Sequence, residues 1–444
     1  MSDPQGPTPC DPPDSATPEP PPGTVDASGS VTVPDSLGRS FWRVWVSSGL
    51  SNLADGVLKV ALPLAALRFT DSPVLVAGVA VALGLPWLLC ALPAGALADR
   101  VDRRWAMVGA NVVRGAVVLV LALGLALDVG SIWLLYAAAF LIGTTETLYD
   151  TSAQSILPQM VHRDRLSRAN GRLYAVELTT NQFVGPPLGG ALVAVSVALA
   201  FVTPAALWVA AVGVLLLVRG RFRVNRTGPP TGIRADIAEG LRYLWSHRLL
   251  RSFAVMVGVS NFATSAAFAI MVLYAVGPDS PMGLSEPAFG VLLTATAVGS
   301  LLGSFVAEGC ERWLGRARSL WLCVPLFALL VLVPGLTSSA WLVGAGFLVG
   351  GVGITVWNVI TVSLRQRVTP AALMGRVNSA YRLLAWGTMP LGAVAGGLIA
   401  EFLGVRVVFL SMGVLMLTLL VPLARMDEAT LAAGESTVEE RGTV

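Results

Sequence analysis

The chain has 444 residues, 55% of them hydrophobic and only 13% charged, with a formal net charge of +3 and a mean hydropathy of +0.71. That balance excludes a soluble globular protein, whose interior could not hide so much apolar surface. A nucleic-acid-binding face is also excluded, because the 30 basic residues are dispersed over many short loops.

Residues 1–40 are rich in Pro, Ser, Thr and Asp, the composition of a disordered tail. They lack the basic start and apolar run of a cleavable signal peptide. From Phe41 to Leu423, apolar stretches of about 18 to 25 residues recur, roughly twelve in all, each long enough to cross about 30 Å of hydrocarbon. The expected spans are 43–68, 74–97, 105–127, 131–156, 172–196, 199–218, 250–276, 286–307, 318–336, 340–363, 378–401 and 404–424. They form an N-terminal six-helix bundle (41–219) and a C-terminal one (250–424), followed by a polar tail (425–444). The linker, 220–249, repeats Ile233, Ile237, Leu241 and Leu244 at helical spacing among charged residues, which predicts an amphipathic helix on the inner membrane surface.

Arginine is concentrated in alternate loops: Arg100, Arg103 and Arg104; Arg163, Arg165 and Arg168; the linker; Arg312, Arg316 and Arg318; Arg365 and Arg367. The positive-inside rule assigns these loops and both termini to the cytoplasm, and the expected location is the cell membrane. The halves also repeat. Gln159 and Gln366, Leu166 and Leu373, Tyr174 and Tyr381, Gly189 and Gly396, and Gly190 and Gly397 share one offset. Parallel halves of this kind can rock around a central cavity.

Charged residues inside spans cost about 2.5–3.5 kcal/mol each, so each requires a reason. Asp55 in the first span shares a face with Asn52 and Lys59, the one lysine of the chain. Two readings stand: an Asp55–Lys59 ion pair that eases insertion, or a proton or cation site facing the cavity. Glu146 is deep in the fourth span, with Asp150 one turn on at the membrane boundary. Tyr174, Glu177 and Asn181 share a face of the fifth. Arg114, midway along the third span, is a candidate partner for one of these acids. A desolvated carboxylate can load and release protons near neutral pH and an arginine cannot. Asp55, Glu146 and Glu177 are therefore the proton-coupling candidates. Asn52, Tyr174, Asn181, Asn261, Trp357, Asn358, Arg382 and Trp386 are candidates to line a substrate cavity, each with an alternative reading as an interhelical hydrogen bond or an interfacial anchor. The four cysteines show no metal or redox spacing, and no nucleophile motif or phosphate loop occurs. No enzyme activity, metal or cofactor is expected.

Gly95, Leu97, Asp99, Arg100, Arg103 and Arg104 resemble the loop signature of the major facilitator superfamily, G-x-L-a-D-r-x-G-R-R, with Asp102 in place of its glycine. The resemblance implies a gate in which Asp99 accepts hydrogen bonds from the eleventh helix near Gly375, while the arginines pair across the inner side. Gly185, Pro186, Gly189 and Gly190 resemble the G-P-x-x-G-G core found in proton-coupled exporters of that superfamily. The glycine expected four residues earlier is replaced by Asn181, and the arginine that many exporters carry in the fourth helix is absent. The prolines should bend this helix, and its glycines should give a close-packing face toward Gly299, Ser300, Gly303 and Ser304. Ser51–Gly56, Leu157–Gly171, Glu239–Trp245 and Gly375–Ser379 are similar to a narrower branch containing the enterobactin exporter and macrolide efflux pumps. The resemblance implies an all-α membrane protein of two pseudo-symmetric bundles. It further implies proton-driven efflux of an amphiphilic small molecule, such as an antibiotic, drug or siderophore, by a monomer in the bilayer. An importer or lipid-handling transporter on the same scaffold, and a sensor without transport, are the alternatives.

Overall fold

The computed structural model describes residues 37–162, 165–220, 222, 233–277, 279–370, 373–424 and 426–429, together with the paired strands β1 (Thr24–Val25) and β2 (Val31–Thr32). Side chains are described for these except at 24–25, 31–32, 91–92, 95–96, 98–100, 167 and 233–237. The rest of the tails expected at 1–40 and 425–444 lies outside the described residues.

The expected spans are found as long helices. The first half holds α1 (Arg39–Ala66), α2 (Pro73–Arg100), α3 (Arg103–Ala126) and α4 (Ile132–Ile156). Its fifth span is broken into α5 (Leu166–Leu178), a π-helical turn (Thr179–Val184) and α6 (Gly185–Val195), and α7 (Val197–Leu216) completes it. The linker helix α8 (Ile233–Ser246) leads to α9 (Arg248–Ala275), α10 (Glu286–Leu314), α11 (Arg316–Leu336), α12 (Ala340–Val368) and α13 (Met374–Leu403). The last span is α14 (Val405–Leu417) with the single turn α15 (Leu420–Leu423). Helix α1 starts earlier than expected because Leu37 and Phe41 are already buried.

Among the described residues, ten helices are long and apolar enough to cross a membrane. Neither α1 nor the broken α5–α6 segment is among them. These two carry Asp55, Lys59, Glu177 and Asn181; α5 and α6 are each too short to cross alone, whereas α1, at 28 residues, falls short on composition.

Local chemistry sets the helix ends. Pro73 opens α2 after Ser72, whose hydroxyl accepts from Leu75 N. Asp102, at the position where the superfamily signature has glycine, caps α3 by accepting from Arg104 N at 3.0 Å. Its other oxygen accepts from Phe222 N at 2.9 Å, beyond the end of α7. The backbone there is extended, with φ of −66°, so no glycine is required. Gly404 joins α13 to α14 alone, at φ of +94°, a conformation only glycine adopts cheaply.

The linker helix does not lie free on a lipid surface. Leu244 is fully buried, Glu239 pairs with Arg376 at 2.5 Å, and Tyr243 donates to Val368 O at 2.9 Å. A Cβ on Gly240 would stand 2.3 Å from Arg376 O. The stretches at 239–245 and 375–379 thus form one contact between α8 and the start of α13.

The halves meet along α2–α13 and α6–α10. Glycine permits close approach in both seams, at Gly190 and Gly397, and inside each half, at Gly189 and Gly396. A Cβ on Gly189 would collide with Val57 O of α1, and one on Gly396 with Ala266 O of α9. A Cβ on Gly190 would stand 2.2 Å from Glu286 O of α10, and one on Gly397 2.9 Å from Ala77 of α2. Residues at the repeat offset therefore make equivalent contacts in the two halves. Gly185 and Gly392, which share that offset, do the same against Gly56 and Phe262. The expected face on α10 is used differently. Gly299 and Gly303 pack on Leu348 and Val352 of α12, while α6 meets α10 at Glu286, Pro287 and Gly290.

Gly190→Leu is expected to cost about 1–3 kcal/mol by overpacking against immobile backbone, lowering the unfolding temperature in detergent. Gly213→Leu, where no atom lies within 4 Å, should leave that temperature unchanged.

Candidate functional site

The π-helical turn follows from sequence. Pro186 and Pro187 have no N–H to give to the carbonyls four residues before, and Gly185 N reaches back to Thr180 O instead. The expected bend is thus a one-residue slip. It presents Asn181 to α1, where Asn181 O packs against Gly56. Asn181 replaces the motif's earlier glycine, and Gly56 on the facing helix supplies the missing space.

Asn181 joins two polar side chains of α1. Its Nδ2 donates to Asn52 Oδ1 at 3.4 Å, and its Oδ1 accepts from Lys59 Nζ. Asn52 in turn donates to Ser48 O at 3.0 Å. Lys59 therefore turns toward the fifth span rather than to Asp55.

Asp55 is paired with Arg114, whose Nη1 lies 3.3 Å from Oδ2. The same Nη1 donates to Ser51 Oγ at 3.3 Å, and Ser51 donates to Asn111 Oδ1 at 3.2 Å. The guanidinium is fully buried, against the rings of Tyr149 at 5.2 Å and Trp208 at 5.6 Å. One cation thereby ties α1, α3, α4 and α7 together. Of the two readings of Asp55, the local pair with Lys59 is replaced by this longer-range pair. Glu146, Asp150 and Glu177 lie close enough to interact electrostatically with Asp55, so the acids form one cluster with Arg114 inside it.

A cavity of about 460 Å³ lies between the halves. Lys59, Asn181, Gln182, Thr264, Ser265 and Thr296 supply its polar lining, and the rest is mostly aliphatic or aromatic. The halves also touch near the loops poor in arginine. There Glu401 of α13 accepts from Ser72 Oγ at 2.8 Å and from Val74 N at 3.5 Å across the α2–α13 seam. Toward the arginine-rich end, Tyr174, Glu177, Asn358 and Arg382 are exposed.

The other expected residues divide. Trp386 sits edge-on to Trp87 of α2 at 4.9 Å and under Arg382 at 4.3 Å, bridging the halves. Asn261 is spent on an interhelical bond to Ala385 O at 2.7 Å. Trp357 is buried between Phe253 and Phe327, so it belongs to the core of the second half and not to the cavity lining. Arg103 and Arg104 reach Ser155 O and Leu216 O, both within the first half. These two bonds tie the arginines to the ends of α4 and α7. Gly95, Asp99 and Arg100 fall at the end of α2, and the contact expected of their side chains lies outside the described residues. Asn111, Tyr149 and Trp208 join the site without a motif that marks them, and Ser51 belongs to the Ser51–Gly56 stretch. Asn111 stands one turn before Arg114, a signal of a polar face on α3.

Two pseudo-symmetric helical halves around a shared cavity, with ionisable groups inside the spans, define a transporter of the major facilitator type. Solved structures agree on the fold. The nucleoside transporter NupG superposes with a TM-score of 0.70 at 12% identity, covering 88% of this chain and 100% of that one. A bacterial homologue of the iron transporter ferroportin, in an inward-facing state, gives 0.66 at 16% identity, with 88% and 100% covered. A family model described as transmembrane secretion effector (MFS_3) matches residues 37–440, and the chain belongs to that family. The multidrug efflux pump Tap of Mycolicibacterium fortuitum is 28% identical over 402 residues, 85% of this chain and 94% of that one. The enterobactin exporter EntS of Shigella boydii is 26% identical over 405 residues, with 88% and 94% covered. The chain is a multi-pass membrane exporter of this superfamily and not an enzyme.

Removing one member of the buried pair leaves an uncompensated charge. Arg114→Gln is expected to destabilise the detergent-solubilised protein by about 3–5 kcal/mol, and adding Asp55→Asn to recover most of that loss. Unfolding of the two single variants and the double variant measures the coupling.

Proposed function

We propose that this exporter moves an amphiphilic small molecule outward in exchange for protons, with Asp55 as the coupling acid. The observation that carries the reading is the buried Asp55–Arg114 pair beside Glu146, Asp150 and Glu177. A carboxylate held by a cation that cannot release its own proton has two states, paired when ionised and free when protonated. Each state favours a different placement of α1 against α3. Because α1 also packs on α6, that shift reaches the α6–α10 seam between the halves. Glu146 and Glu177 would relay protons to Asp55, and Asn181 and Lys59 would meet the cargo in the cavity.

Arginine bias places both termini in the cytoplasm. On that orientation the Ser72–Glu401 contact closes the outer side, and the described conformation is open inward, ready to load. Export of the kind named for the two relatives fits this arrangement. Import and a sensing role have no residue arrangement in their favour.

The test uses inverted membrane vesicles and an amphiphile to which the protein gives an efflux-deficient host resistance. A proton gradient should drive its accumulation. The Asp55→Asn/Arg114→Gln double variant, which has no orphaned charge, should bind the compound but lose gradient-driven accumulation by about tenfold or more. Full accumulation by the double variant would reject Asp55 as the coupling acid.

A further inference from the structure

The central cavity is apolar over most of its wall and carries a single charged side chain, Lys59. This is also the only lysine in the chain, where 29 other basic residues are arginine. Its ammonium is exposed to the cavity and donates to Asn181 Oδ1. An ammonium has three donors, and that bond uses one. Among the described residues no carboxylate lies within ion-pair distance of it. Asp55 is engaged by Arg114, and Asp55, Glu146, Asp150 and Glu177 are all outside the cavity lining. The charges of Asp55 and Glu177 are felt at Lys59 through space, but neither supplies a hydrogen-bonded partner.

An ammonium beside a largely apolar wall selects by charge. A cationic amphiphile would bring like charge into a confined space of low dielectric, and a neutral one would leave two donors unused. An anionic one satisfies both and buries its body on Leu62, Phe268, Phe289 and Leu330. We propose that the cargo is an amphiphile bearing an acidic group, a carboxylate, sulfonate or ionised phenol, and that Lys59 with Asn181 binds that group. The proposal deepens the export reading and rests on the cavity being the transport site. Asn181 fixes the ammonium in place, so its contribution is positional.

The probes are 8-anilinonaphthalene-1-sulfonate and N-phenyl-1-naphthylamine, which share a ring system and differ by the sulfonate. Binding is measured on the full chain in lipid nanodiscs, with empty nanodiscs subtracted. The sulfonate should bind about tenfold tighter than the neutral probe, as expected for a charge-assisted hydrogen bond. Lys59→Met should abolish that preference without changing affinity for the neutral probe, and Lys59→Arg should restore it. As a second readout, acetylation of Lys59 by an N-hydroxysuccinimide ester, followed by mass spectrometry, should be slowed by the sulfonate and not by the neutral probe. Equal loss of both probes in Lys59→Met, or unchanged sulfonate binding, would overturn the proposal. The export reading fails separately, if the sulfonate binds through Lys59 yet inverted vesicles accumulate no amphiphile under a proton gradient.

Discussion

A buried arginine has to be neutralised, and in this chain the solution at Arg114 organises the first half of the molecule. Its guanidinium lies at zero exposure between α1, α3, α4 and α7. An uncompensated charge at such a depth costs about 2.5–3.5 kcal/mol on insertion scales. Asp55 supplies the countercharge, Ser51 a hydrogen bond, and Tyr149 and Trp208 the ring faces. Ser47 adds a bond from α1 to Ala211 O of α7 at 3.0 Å. The polar residues that make α1 a poor membrane segment by hydropathy are those that hold it in the bundle. Structure and chemistry converge on one pair, so any proton that reaches Asp55 also acts on helix packing.

Glycine supplies the complementary requirement, seams that are close enough to seal and smooth enough to move. Gly190 in one half brings α6 against the backbone of α10, and Gly397 in the other brings α13 against Pro73, Val74 and the small side chain of Ala77 in α2. Such contacts have no long side chains to disengage, which suits halves that rock as bodies. The Ser72–Glu401 bond and the Trp87–Trp386 contact cross the same α2–α13 seam. The Asp55–Arg114 pair holds α1 against α3, and α1 meets α6, and through it the α6–α10 seam, at Gly56, Val57 and the π-helical turn.

Much of this was legible in the sequence because hydropathy and glycine positions are local signals. Most spans are found near their expected limits, though the fifth begins at Leu166 and α10 and α12 run on to Leu314 and Val368, and the constant offset between halves corresponds to equivalence of contact. The site was only half legible, because pairing between helices depends on rotation about each axis. Lys59 is one turn from Asp55, so an intrahelical pair is one of two readings of that face, yet Asn181 takes Lys59 and Arg114 takes Asp55. The slip that aims Asn181 comes from the prolines that follow it, and no periodicity shows it. Asn261 and Trp357 sit in the second half at positions where a polar or aromatic residue reads equally well as cavity or core. Asp102 stands where the signature has glycine, and its acid is a helix cap with a second partner at Phe222.

The central claim is that protonation of the Asp55–Arg114 pair shifts the balance between states of the two halves. Spin labels at Val129 and Trp341, both exposed at the arginine-poor end and in opposite halves, report that balance by pulsed electron resonance in a cysteine-free background. The account predicts that their distance distribution changes between mildly acidic and mildly alkaline pH in the otherwise native protein. It predicts a single pH-independent distribution when Asp55 and Arg114 are both neutralised by substitution. The same pH response in that doubly neutral protein would contradict it.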